Sequence, residues 1–89
     1  MTFSEKIIPL RKDIDELDRE LLKILKRRFK VVQKVGKLKK EYNIKPLDEA
    51  RWQEVIKNIR NKAEDEKINP DFIEDLWNLI HKEALKLEE

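Results

Sequence analysis

The residues best suited to chemistry in this sequence of 89 residues are basic ones near its middle. Residues 23–40 contain nine Lys and Arg and no Asp or Glu, although the net charge of the chain is only +2. Such a stretch is compatible with a solvated helix face, a surface that binds nucleic acid, or a site that attracts a small polyanion. Composition alone does not distinguish these three.

Arg28 departs from the pattern around it, because it takes the place of an apolar residue in a helical seam. An unpaired buried guanidinium is costly. Arg28 could pair with an acidic residue across an interface, or its stem could extend to the edge of the seam. Lys39 follows eleven residues later, three helical turns along nearly the same side and about 16 Å away by helical rise. Together these two cations could bind a small dianion.

Arg11 is a third candidate, and it follows the same helical track as Lys39. The two are 28 residues apart, or about 42 Å of helix, so one small ligand cannot touch both in a single chain. In an antiparallel pair of helices, Arg11 of a second copy could approach Arg28 and Lys39 of the first. Symmetry would then give two equivalent shared sites.

The helix that must position these cations is predicted over about residues 9–42. Pro9 suits a first helical turn, and about 34 residues form a rod of roughly 50 Å, longer than a compact domain of this size is wide. Such a rod must lie against a partner. The heptad spacing appears in two apolar tracks, Ile7, Ile14, Leu21, Val35 and Tyr42, and Leu10, Leu17, Ile24, Val31 and Leu38.

Two shorter helices follow, which predicts an all-α, three-helix chain with a long N-terminal helix, forming one domain over residues 1–89. Asp48 is placed to cap a helix over about residues 49–66. Asn69 followed by Pro70 begins another over about residues 70–88. The predicted inward positions are Trp52, Val55, Ile56, Ile59, Ile73, Leu76, Trp77, Ile80, Ala84 and Leu87, with Glu88 continuing the face of Ala84.

Gly36 and His81 are the only glycine and the only histidine. Glycine inside a helix costs about 1 kcal/mol relative to alanine, so we expect a neighbouring helix to pack closely at Gly36. His81 has no partners at metal-ligand spacing, and we expect it at the surface. The absence of Cys excludes disulfides and thiolate metal sites, and no segment resembles a membrane span. A cytoplasmic protein without a metal site is expected.

Several short segments form a set: residues 10–18 (LRKDIDELD), Leu21-Leu22, Arg27-Arg28, Val35-Gly36, Lys39, Asp48 and Arg51. Together they resemble the signature of the all-helical, type II chorismate mutases, without gaps from about Ser4 to Glu88. The resemblance implies an intertwined homodimer whose long first helices span both subunits. It implies conversion of chorismate to prephenate, in phenylalanine and tyrosine biosynthesis, with no cofactor and with no nucleic acid or membrane as partner.

The resemblance also implies catalytic roles for individual residues. Arg11 would reach the active site from the other chain, and Arg28 would bind a substrate carboxylate from within the chain. Lys39 would face the ether oxygen of the bond that breaks. Glu88 would stand against the same oxygen, where it can donate a hydrogen bond only when protonated.

Other positions would recognise the rest of the substrate. Asp48 and Arg51 would line the pocket near the ring hydroxyl and a carboxylate. Trp52 stands where the family usually has a Glu that accepts from the ring hydroxyl, and Trp52 can donate but cannot accept. Ala84 takes the place of a frequent small polar residue that helps to hold a carboxylate.

Three alternative functions remain open at this stage. Isochorismate pyruvate lyase resembles these mutases and uses the same cationic set, and the missing Glu after Arg51 is compatible with it, whereas Asp48 favours the mutase. A non-catalytic basic helical dimer that binds nucleic acid would need its cations on the exposed face, while Arg28 and Lys39 lie at or beside the apolar seam. A regulatory dimer without activity is the third.

Overall fold

The computed structural model describes residues 1–89 and contains three helices and no strand. Helix α1 runs over Phe3–Glu41, α2 over Glu49–Asp65 and α3 over Pro70–Glu88. The predicted all-α class is confirmed. No helix combines the length and the apolar character that crossing a membrane requires. The chain divides into two compact units, Met1–Val31 and Val32–Glu89, and α1 contributes residues to each.

The start of α1 corrects the sequence analysis, because the helix begins at Phe3 and Pro9 lies inside it. Thr2 Oγ1 accepts a hydrogen bond from the Glu5 amide at 3.2 Å, and the Thr2 hydroxyl donates to the Glu5 carboxylate at 3.1 Å. These contacts satisfy the first turn much as a capping box does. Pro9 leaves only the carbonyl of Glu5 without its helical donor, on an exposed face where water can replace it.

The first unit is the segment Met1–Val31, and its apolar seam is exposed. Its members each keep 55–59% of their surface accessible: Leu10, Ile14, Leu17, Leu21, Ile24 and Val31. From Leu10 to Ile24 the spacings alternate between four and three, and Val31 follows seven residues later, which is the pattern of a helix that packs along another helix. Exposed apolar residues in a continuous stripe mark an interaction surface.

In the second unit, α2 and α3 begin where the capping signals place them. Asp48 caps α2 and Asn69 caps α3, the latter by accepting from the Asp71 amide at 2.9 Å. Ala63, Ile73 and Ala84 form the buried apolar core of the chain. This core is small, as expected for a chain of this length.

An aromatic stack joins α2 to α3 and corrects a second prediction. The rings of Trp52 and His81 lie 3.7 Å apart between centroids and 7° from parallel. His81 is half-buried in this stack, so the prediction that it lies at the surface is wrong. Leu76, predicted to face inward, keeps 36% of its surface exposed. A helical face wider than its neighbour leaves such edge positions uncovered.

A charged cluster also connects these two helices. The guanidinium of Arg60 lies 3.0 Å from an Asp71 oxygen and 3.3 Å from a Glu74 oxygen. The hydrogen bond to Asp71, with the charges of both carboxylates, raises the pKa of Arg60 above its ordinary value. Arg60 is positively charged at neutral pH with or without these partners, and the cluster links α2 to α3 through partly exposed side chains.

The turn after α2 holds one residue in an unfavourable backbone conformation, and a substitution can relieve this strain. Lys67 has a φ of 59°, in the left-handed region. The Ile68 amide donates to the Ala63 carbonyl at 2.8 Å, and the Lys67 amide to the Glu64 carbonyl at 3.1 Å. This is the Schellman arrangement, in which glycine is the preferred residue at the left-handed position.

We expect Lys67→Gly to raise the free energy of unfolding by about 0.5–1 kcal/mol, because glycine adopts this conformation without a Cβ clash. Urea denaturation would measure the change. Lys62→Gly is the matched control, since Lys62 lies within α2, where glycine should lower stability by a similar amount. Equal losses at both positions would contradict the interpretation.

Candidate active site

Lys39 lies in the last turn of α1, and its ammonium group connects three segments of the second unit. Its Nζ donates to a Glu88 carboxylate oxygen at 2.7 Å and to the backbone carbonyl of Pro46 in the connector between α1 and α2. The Lys39 and Glu88 side chains keep only 20% and 8% of their surface exposed. Because an ammonium has three N–H donors, one remains for a ligand after these two contacts.

Glu88 reaches Lys39 because the end of α3 packs directly against Gly36. A Cβ built on Gly36 would lie 2.7 Å from the Cα of Glu88 and 3.0 Å from its carbonyl oxygen. The predicted close packing of a helix at this glycine is therefore confirmed. Gly36 and Lys39 are three positions apart and share a side of α1. The close approach that requires glycine thus also brings the carboxylate to the ammonium.

Asp48 and Arg51 lie together at the first turn of α2, and both are exposed. Asp48 Oδ1 accepts from the Arg51 amide at 3.0 Å, which confirms the predicted cap. The Arg51 guanidinium lies 2.5 Å from a Glu54 oxygen, and both side chains are 62% exposed. Surface pairs of this kind are weak, so a ligand carboxylate could replace Glu54 as the partner of Arg51.

The remaining predicted site residues are found on different elements. Arg11 is exposed and Arg28 is half-buried, both on α1 within the first unit. Ala84 is buried on α3, one helical turn before Glu88. The structure thus brings Lys39 and Glu88 into direct contact. The catalytic and substrate-binding roles assigned to all seven residues stay predictions.

Two features of this region were missed from the sequence. The first is the Pro46 carbonyl, because a backbone acceptor leaves no mark in the residue types. The second is an open groove on α2 and α3, lined by Arg51, Val55, Asn58, Ile59, Lys62 and Trp77. Its polar members lie at spacings of seven and four along α2, and this periodicity could have indicated a shared helix face.

Fold and site together define an all-helical protein in which one lysine, largely withdrawn from water, is held between a carboxylate and a backbone carbonyl. No group of three or more His, Cys, Asp and Glu side chains could hold a metal ion. The chain belongs to the type II chorismate mutase family, whose family model matches residues 10–89. The resemblance found in the sequence is therefore confirmed.

Two curated relatives align with most of this chain. The T-protein of Haemophilus influenzae is 33% identical over 84 residues, which cover 94% of this chain and 22% of that protein. The T-protein of Enterobacter agglomerans is 30% identical over 83 residues, which cover 93% of this chain and 22% of that protein. The chain thus spans about a fifth of the length of these relatives.

Proposed function

We propose that this protein is a chorismate mutase, which rearranges chorismate to prephenate in phenylalanine and tyrosine biosynthesis and works in the cytoplasm. The observation that carries the proposal is the Lys39 ammonium, oriented by Glu88 and Pro46 with one donor left for a ligand. Membership of the type II family supplies the substrate class.

The chemistry explains why a fixed cation suffices. The reaction is an intramolecular Claisen rearrangement, so the carbon–oxygen bond breaks and the carbon–carbon bond forms within one molecule, without a nucleophile. The protein must hold the reactive diaxial conformer and stabilise negative charge on the ether oxygen. Donors that are already oriented toward developing charge cost no reorganisation in the transition state. Lys39 meets this requirement, because two partners already fix its ammonium.

We propose that the active protein is a homodimer. The exposed apolar seam of the first unit supports this, because burying each large apolar side chain stabilises by about 1.5–3 kcal/mol. Arg28 interrupts the seam, where a substrate carboxylate would compensate its charge. Arg11 of the second subunit would bind the other carboxylate. Arginine suits both tasks, since its planar fork fixes the orientation of a carboxylate as well as its position.

Recognition of the ring hydroxyl depends on α2. Trp52 replaces the acceptor that the family usually has, and it is occupied in the stack with His81. Asp48 and the backbone near it would then accept from the hydroxyl. Arg51, whose present partner Glu54 is exposed, would assist in binding a carboxylate. The side chain of Ala84, which is buried, can contribute no hydrogen bond to the substrate.

The absence of that acceptor is also compatible with one second candidate, isochorismate pyruvate lyase. The presence of Asp48 supports the mutase over the lyase. The experiment that separates them is incubation of the purified protein with chorismate and, separately, with isochorismate, followed by NMR identification of the products. Prephenate formed far above the uncatalysed rate would establish the mutase. Pyruvate from isochorismate alone would favour the lyase, and two inert substrates would leave a non-catalytic dimer.

The substitution Glu88→Gln tests the role of Glu88. The Glu88 carboxylate accepts from Lys39 Nζ at 2.7 Å, and a carboxylate has no proton to donate to the ether oxygen. Gln has nearly the same size and carries an amide donor, so a rate equal to or above the wild-type rate is expected if position 88 donates to the ether oxygen. Steady-state kinetics with chorismate would compare the two proteins. A large loss of kcat would leave Glu88 only as the acceptor that holds Lys39.

A further inference from the structure

Helices α1 and α3 pack closely at Gly36. A Cβ at this position would lie 2.7 Å from the Cα of Glu88, and 3.0 Å from both its Cβ and its carbonyl oxygen. The atoms in the way are mostly backbone, so a rotamer change could not relieve the clash. Contacts of a real Cβ with its neighbours lie at about 3.4–4 Å. A methyl group at Gly36 would therefore displace the last turn of α3 by roughly 1 Å.

The residue against Gly36 is the same residue whose carboxylate contacts Lys39. Glu88 is buried to 8% side-chain exposure, and its Oε1 lies 2.7 Å from Lys39 Nζ. Gly36 and Lys39 stand on one side of α1, so the depth at which α3 packs on Gly36 sets the distance of this ion pair. A charge-assisted hydrogen bond of 2.7 Å does not survive a displacement of about 1 Å without rearrangement.

We propose that Gly36 is a positioning residue for catalysis: it admits the backbone of Glu88 and thereby sets the Glu88 carboxylate against the Lys39 ammonium. This inference rests on the proposed mutase activity. Gly36 itself touches no substrate, and it acts only through Glu88 and Lys39. Misplacement of a catalytic group by about 1 Å can cost on the order of 10²-fold in rate.

The test is a double-mutant cycle between Gly36→Ala and Glu88→Ala, followed by kcat and KM for chorismate. We expect Gly36→Ala alone to lower kcat by about 10- to 100-fold, with a smaller change in KM. In the Glu88→Ala background the same substitution should change kcat less than about 2-fold, because no carboxylate remains to be misplaced. Gln33→Ala, at an exposed position of α1, is the matched control and should leave both constants unchanged.

A purely structural role would give a different result. Alanine at Gly36 would still clash with the Cα of residue 88 in the Glu88→Ala background, so a loss caused by general distortion would persist there. Equal losses in both backgrounds would overturn the proposal. If Gly36→Ala does not fold, Glu88→Asp moves the carboxylate back by about one bond while keeping the backbone, and a near-normal rate for it would also overturn the proposal.

A spectroscopic measurement separates this inference from the proposed function. The ammonium protons of Lys39, observed in ¹⁵N-labelled protein at low temperature, report the ion pair without any substrate. We expect a slowly exchanging signal in the wild-type protein that is lost in Gly36→Ala and in Glu88→Ala. A signal retained in Gly36→Ala would overturn the positioning role. An inactive wild-type protein would overturn the mutase assignment, and the signal would still decide whether Gly36 sets the contact.

Discussion

Lys39→Ala is expected to lower kcat for chorismate by at least about 10²- to 10³-fold, the usual effect of removing one oriented donor from developing negative charge. In this structure the ammonium is already held by Glu88 and the Pro46 carbonyl, so its third donor needs no reorganisation. Steady-state kinetics with the purified variant would measure the loss. Lys40→Ala, the exposed lysine next to it in the same turn, should keep a near-normal rate.

The same substitution should also affect stability, and this effect must be separated from catalysis. Removing Lys39 leaves the buried Glu88 carboxylate without its cation, which is destabilising in such a pair. We therefore expect a lower melting temperature with the helical circular dichroism spectrum retained at 25 °C. Adding Glu88→Gln to Lys39→Ala should recover part of the stability without recovering turnover. A Lys39→Ala protein of near-normal rate would contradict the assignment.

Arg11→Ala and Lys39→Ala, each nearly inactive alone, should complement each other when the two proteins are unfolded together and refolded. If Arg11 acts from the other subunit, a mixed dimer holds one site with both residues intact and one site with neither. Random assortment makes half of the dimers mixed, so the mixture should recover about one quarter of the wild-type activity. Turnover measured before and after joint refolding would show the gain.

Complementation is expected only if each active site contains residues from both subunits, so a second pair of variants serves as the control. Joint refolding of Arg28→Ala with Lys39→Ala should restore no activity. Arg28 and Lys39 of any one site would come from the same subunit, so every site in a mixed dimer would lack one of them. Recovery by that second pair, or failure of the first pair while mixed dimers form, would contradict the proposed role of Arg11. Sedimentation of the refolded mixtures would establish that dimers are present.

Local signals in the sequence predicted the helices well. Asp48 and the Asn69-Pro70 pair marked the starts of α2 and α3 because a capping side chain acts within three residues of its own position. The predicted start of α1 was wrong, although the capping signal that marks it is equally local. Thr2 and Glu5 form the cap, and Pro9 was given too much weight, since an exposed proline in the first turns of a long helix leaves only one carbonyl unpaired.

By itself, the sequence determined the family, the three helices and the cationic residues proposed for the active site. Each of these depends on signals that can be read along the chain, namely hydrophobic periodicity, capping residues and a set of residues at characteristic spacings. Only the tertiary structure decided which of these side chains meet. Lys39 and Glu88 are 49 positions apart, and their contact depends on how deeply α3 packs against Gly36. Likewise, the stack of Trp52 with His81 withdraws a histidine that appeared polar and exposed. Such contacts arise from the packing of whole helices, so no local pattern of residues specifies them.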